Sequence, residues 1–481
     1  MSDQGKKKIG RREFLRFASL VSGGTILAAC APQSVAPQAT TAPAAPTSVP
    51  QATAVPAAAT AAPQPTAVPT TAPPAPAAAV KVSFMTWAWS PESETFERNR
   101  VDMFNKSQTA VVADPVILPY DDLWTKLTVL VASGEAPDTV SYDYASYPLI
   151  SQGQFIDLKS YVSLVPDFTD DKVYDQNFWP PAKMLGDEQI ISLPIGGEGM
   201  NLFYNKTLLD AAKEPYPTDD LTWDEYLPMA QRLTKPGSGA TTQFGTSLGN
   251  LQAWWGWPLL LQSKGIDIVD SRTKPTKTTF GTPEGIDSLQ YLQDLVYKYK
   301  VAPNIAQATT LADQGGDFGS GKVAIYPDGA WDVVSFRTID RFKWDISLLP
   351  MGPKGRPSPF WIGGPMIAKQ SKNPDQAWAW VKWTAEKDGQ EMIAHAGTQV
   401  TWSRSARQVM PDGAVPDHYT NRFNTLKEII PGDVWTPVWN QVLDKVWNPE
   451  FDKFWQGQIT AKELVDNVVP ATDKLLQAPS S

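Results

Sequence analysis

The chain has 481 residues, with 42 Lys and Arg against 51 Asp and Glu, a formal charge of −9, and only one cysteine and two histidines. One cysteine excludes a disulfide framework, and two histidines without a cysteine cluster leave no strong zinc site. Acidity argues against nucleic acid or anionic lipid as the partner surface.

The first segment is an address. Lys6, Lys7, Lys8, Arg11, Arg12 and Arg16 precede an apolar stretch from Phe17 to Ala29 that ends Leu27-Ala28-Ala29-Cys30. A basic head and a short apolar middle make an export signal, too short for a stable membrane span. The paired arginines before Phe14-Leu15 resemble a twin-arginine signal. Leu-Ala-Ala-Cys resembles a bacterial lipobox, which implies removal of residues 1–29 and acylation of Cys30. From Ala31 to Ala79 the chain holds only Ala, Pro, Thr, Gln, Ser and Val. Such a stretch cannot bury enough surface to offset its ordering entropy, so residues 30–79 are predicted to be a lipidated tether.

Beyond it, Val80 to Trp87 reads as a buried opening strand, and Phe96, Met103 and Phe104 mark one face of a following helix. Leu123, Leu127, Leu130 and Val131 mark another helix, which stops at Ser133-Gly134 before a short strand from Thr139 to Tyr142. Thr222-Trp223-Asp224-Glu225 and Thr460-Ala461-Lys462-Glu463 have capping-box spacing. Thr282-Pro283-Glu284 and Asn373-Pro374 open two further helices. Strands alternating with helices of this length predict an α/β chain of wound sheets.

Five segments in register carry a family resemblance. They are the turn Ser133 to Asp138, Leu193 to Lys206, the run from Phe318 to Trp331, Leu349 to Pro353, and Ser371 to Pro374. Together they resemble the solute-binding proteins of bacterial ABC carbohydrate importers, the maltose-binding-protein-like group. The resemblance implies a two-lobed α/β periplasmic-binding-protein fold with crossing hinge strands and a central ligand cleft. It places one lobe at 80–193 plus 350–388 and the other at 195–348 plus 389–476, with crossings at Pro194-Ile195, near Leu349-Pro350 and near residue 388. It also implies an extracytoplasmic, lipid-anchored monomer that passes a sugar to a permease, with no cofactor and no enzymatic activity.

The residues point to the same chemistry by themselves. Nineteen tryptophans is a large excess, and sugar C–H faces pack on aromatic rings while sugar hydroxyls bond to carboxylates. Trp87 and the pair Tyr142 and Asp143 lie at strand ends, where open α/β sheets bind ligands. Family register adds Glu198, Trp254, Trp255, Trp331 and Trp439 to the candidate site, with Trp439 as a late ring closing over the ligand, and Trp361 joins them as a ring just before Gly363-Gly364. Trp378, Trp380 and Trp383 read instead as helix packing residues.

Two enzyme patterns occur. Gly245-Thr246-Ser247-Leu248-Gly249 fits a nucleophile elbow but lacks a recognisable acid and histidine. The run from Gly316 to Lys322 has P-loop spacing, with Val323 where a hydroxyl is required. A surface glycan-degrading enzyme, a receptor for a non-sugar solute and an adhesin remain as alternatives.

Overall fold

The computed structural model describes residues 78–478 apart from 179–188, 238–241, 398 and 414–415. The expected signal, Cys30 and nearly all of the tether therefore lie outside the described residues.

β1 (Val80–Trp87) pairs in parallel with β2 (Val111–Leu118) over its whole length, and with β3 (Thr139–Ser141) on its other side. β10 (Pro365–Ile367) returns late in the sequence to pair antiparallel with β3, closing a four-stranded sheet of order β10-β3-β1-β2. The connection from β1 to β2 is the helix Pro91–Ser107. Ser90 caps it with a reciprocal Ser90–Ser93 box, and Pro91 stands at its first turn, where a missing N–H costs nothing. The helix Tyr120–Ser133 buries Leu123, Leu127 and Val131. It ends at Gly134, whose φ of 78° is the left-handed conformation that lets its N–H reach the Leu130 and Val131 carbonyls.

The second sheet has order β6-β7-β5-β8. In it β5 (Met200–Asn205) lies antiparallel to both β7 (Val323–Gly329) and β8 (Trp344–Leu348), and β6 (Phe244–Thr246) runs parallel to β7. A third sheet, β11-β4-β9-β12, joins β4 (Gly196–Glu198), β9 (Ser358–Gly363), β11 (Val400–Thr401) and β12 (Ile429–Pro431).

The described residues form two large cores, and Phe360 and Val400 of the third sheet pack in the first. The first takes residues from Val82 to Ile195, then Phe360 to Trp402, and finally Trp435. Trp380 is wholly buried there and stacks on Trp383 at 5.8 Å and 15°. Arg100, 3 % exposed, is ion-paired to Glu97 at 2.5 Å and lies over the rings of Phe84, Phe96 and Trp380. Trp378, Trp380 and Trp383 thus pack as read. The second core runs from Met200 to Leu349 and is completed by Val434, Trp439 and the helices Asn448–Trp455 and Ala461–Leu476. Thr460 and Glu463 cap the last helix reciprocally, and Thr282 caps the helix Pro283–Tyr297.

Core membership can be followed along the chain. Ile195 packs in the first core and Met200 in the second. Met392, Ile393, Val400 and Trp402 all pack in the first core. The helix Lys387–Ala396 begins directly after the Pro374–Ala385 helix and packs back against it. The far end of that helix is held from the opposite side. Arg337 Nη1 donates to the Ala396 carbonyl at 2.6 Å and Arg422 Nη1 to the Gly397 carbonyl at 2.9 Å. Arg337 follows the short helix Val333–Phe336, which packs with Phe203 of β5 and with Tyr419 in a small separate core.

Candidate functional site

Strand ends from both sheets converge with the third sheet. Trp87 closes β1, Asp143 stands two residues beyond β3, and Trp331 two beyond β7. Trp254 and Trp255 follow a short 3₁₀ turn, Gly249–Gln252, that succeeds β6. Trp361 lies within β9, opposite Glu198 of β4. Of Glu198 only the backbone is described; its side chain lies outside the described residues.

Three of the expected platforms form one cluster. Trp255, Trp331 and Trp361 pack edge to face in every pairing, with centroids 5.5 Å (255–331), 5.2 Å (255–361) and 5.8 Å (331–361) apart. All three are half-buried. Perpendicular packing suits the aromatic quadrupole and fixes ring orientation. Backbone helps too. A Cβ on Gly329 would overlap the Trp331 ring, and one on Gly432 would overlap Trp361, so both glycines admit a ring against the main chain. Trp361 Nε1 donates to Asp433 Oδ1 at 3.1 Å.

A second cluster lies on the first-core side. Trp87, Tyr120 and Trp124 stand 5.7–5.8 Å apart, and the Tyr120 hydroxyl donates to Asp143 Oδ1 at 2.5 Å. The same oxygen accepts the Ala145 N–H at 2.9 Å, so Asp143 caps the turn that presents Tyr144. Tyr144 meets Trp254 edge-on at 5.2 Å, a contact between the end of the first sheet and the second core.

Burial governs the electrostatics. It pushes Asp143 up to about 6, against the lowering pull of the Ala145 N–H and the Tyr120 hydroxyl. Asp433, 5 % exposed, is pushed well above the carboxylate range by burial and then by the Asp143 charge, with Trp361 and Arg272 opposing.

Two of the expected ligand residues are almost fully buried. Trp439 is 2 % exposed and packs edge-on between Trp254 and Trp447 in the second core. Tyr142 is 3 % exposed and stacks on Trp435 at 5.8 Å and 28°. Its hydroxyl is buried without a hydrogen-bond partner among the described residues. Sequence reasoning missed Tyr120, Trp124, Tyr144, Asp433 and Trp435. Tyr120 and Trp124 share a helix face at i, i+4, and Asp433 sits in Pro-Gly-Asp after a short strand, so a spacing signal existed for these. Within the elbow-like run, Ser247 Oγ donates to Asp317 Oδ2 at 2.5 Å, while His395 and His418 pair with Asp412 and Asp345.

The model of the bacterial extracellular solute-binding protein family matches residues 88–391. The chain belongs to that family. Among curated relatives, this solute-binding protein is 26 % identical over 225 residues to an arabinooligosaccharide-binding protein of Halalkalibacterium halodurans, covering 43 % of this chain and 46 % of that one. It is 22 % identical over 218 residues to the putative ABC transporter periplasmic-binding protein YcjN of Escherichia coli, covering 45 % and 49 %. These alignments span about half the length of either relative.

Solved structures align far more completely. The ABC substrate-binding protein Lmo0181 of Listeria monocytogenes, in complex with cycloalternan, superposes with a TM-score of 0.72 at 22 % identity, over 82 % of this chain and 98 % of that one. The GacH receptor of Streptomyces glaucescens gives 0.69 at 21 % over 84 % and 100 %, and maltose-bound MalE3 of T. maritima 0.66 at 19 % over 82 % and 100 %. The fold of the solute-binding protein is therefore the two-lobed α/β fold that its sequence resembled. No helix among its described residues is long and apolar enough to cross a membrane.

Proposed function

We propose that this protein is an extracytoplasmic receptor that captures a sugar or oligosaccharide between its two cores and delivers it to the permease of an ABC importer. The observation that carries the reading is the Trp255–Trp331–Trp361 cluster with Asp433 bonded to its edge, set where strand ends of both sheets meet. Ring faces take the C–H surfaces of a sugar, and carboxylates such as Asp143 accept its hydroxyls. Family membership and the sugars bound to several structural neighbours support it. The two cores act as lobes that close by rotation at the bridging sheet, since a few residues at element ends absorb such motion. Catalysis has no part in this reading. Cys30 carries the lipid anchor, and residues 31–79 hold the receptor off the membrane as a monomer.

A thermal-shift screen over mono- and oligosaccharides, followed by calorimetry on the hits, tests the receptor. Native-state binding raises the melting temperature, and scattering should report a more compact liganded form. A protein that melts unchanged with every sugar, or that hydrolyses an oligosaccharide, rejects the reading. For the anchor, Cys30→Ala should yield a folded protein that no longer partitions with membranes.

A further inference from the structure

Resting on the sugar-receptor reading, we propose that Asp143 and Asp433 form a charge filter, which admits neutral and basic saccharides and rejects those bearing carboxylate, phosphate or sulfate at the tryptophan cluster.

The two carboxylates belong to one neighbourhood. Tyr142, beside Asp143, stacks on Trp435, two residues from Asp433. Tyr142 places its hydroxyl where the charges of both carboxylates act on it, Asp433 more strongly than Asp143. That hydroxyl is buried and has no hydrogen-bond partner among the described residues. A buried polar group left unmade is costly, so the position calls for a polar group supplied by ligand. Each acid also keeps an oxygen that receives no donor from the described residues: Asp143 receives both of its hydrogen bonds on Oδ1, and Asp433 receives that of Trp361 on Oδ1.

Among the described residues no free cation balances the pair. Arg272 is the nearby guanidinium, but it is committed. Its Nε donates to Asp267 Oδ2 at 2.9 Å, its Nη2 to Asp267 Oδ1 at 2.5 Å, and its Nη1 to the Gly432 carbonyl at 3.2 Å. Asp267 thus cancels its charge. An anionic ligand group entering here meets the Asp143 carboxylate beside Asp433, whose own proton affinity the Asp143 charge raises, and finds no unpaired cation among the described residues to receive it. A neutral hydroxyl donates to either acid, and an ammonium gains from both.

The test is calorimetry of the whole mature protein against three probe sets: neutral malto-, manno- and arabino-oligosaccharides, basic chitosan oligomers, and acidic oligogalacturonates. The expected result is binding of a neutral or basic set, with oligogalacturonates at least about tenfold weaker than the best of them. Asp143→Asn and Asp433→Asn should each narrow that gap, with melting curves confirming the fold. Oligogalacturonates bound as tightly as the best other probe by the wild type would overturn the filter while leaving a sugar receptor standing. An unchanged gap in both folded variants would overturn it as well. Binding of no probe would instead remove the receptor reading beneath it.

Discussion

Trp361 donates its indole N–H to Asp433 at 3.1 Å, across 72 residues of chain, and so ties β9 to the loop that follows β12. The acceptor is a buried carboxylate whose proton affinity burial has raised. Removing the donor and removing the charge should therefore have opposite consequences. Trp361→Phe leaves a buried oxygen unpaired and should cost about 1–3 kcal/mol. Asp433→Asn keeps an acceptor while relieving the charge, so its melting temperature at neutral pH should equal or exceed that of the wild type. Parallel calorimetric melts decide this, and two variants equally destabilised would contradict it.

Gly432 lies against the Trp361 ring with no room for a Cβ. Gly432→Ala should push the indole away from Trp255 and Trp331 and lower sugar affinity several-fold, although it changes no charge and no ligand-contacting group. Titration against the tightest sugar, beside a crystal structure of the variant, measures both effects.

Platform loss should be larger. Trp331→Ala and Trp255→Ala should each weaken binding by at least about 1–2 kcal/mol, roughly 5–30-fold, on the scale of aromatic contacts. Glu198→Gln should cost a similar amount if its carboxylate accepts a ligand hydroxyl. Wild-type affinity in all three, with normal melting, would move the site elsewhere.

The pH dependence follows from Asp143. Its folded-state value of about 6 exceeds the ordinary 3.8, so between about pH 4 and pH 6 the native state holds more protons than the unfolded chain. Its contribution to stability is therefore most favourable below pH 4 and is lost as pH rises through 6. Asp143→Asn, whose amide oxygen can still accept from Ala145 and Tyr120, should remove this slope. Urea titrations of both proteins across pH 4–7 should give a stability difference that shifts toward the variant as pH rises; a constant difference would refute the assignment.

Much of the architecture was legible because it rests on local rules. The opening strand from Val80, the stop at Gly134 and the caps at Thr222, Thr282 and Thr460 depend on residues within a few positions of one another. The strand-end positions of Trp87 and Asp143 were readable from pattern, and that of Trp331 from register. What escaped was long-range. Trp439 and Trp361 looked alike in sequence, yet the first is enclosed by Trp254 and Trp447 while the second lies half-buried on a bridging strand. Asp433 acquires its role only through partners far along the chain, Trp361 and Asp143. The packing of Met392 and Ile393 was hidden for the same reason. Whether the helix Lys387–Ala396 joins one core or the other is set by which apolar face it meets, not by its own composition.

The perpendicular tryptophans also have an optical consequence. Indole transition dipoles held 5.2–5.8 Å apart at 72–76° couple strongly, and their coupling depends on mutual angle far more steeply than the absorbance of any single ring. Trp255 and Trp331 ride with one core, while Trp361 lies on the bridging strand. Under the proposed closure, rotation of the lobes changes the near-ultraviolet circular dichroism, which would report that motion without an added dye.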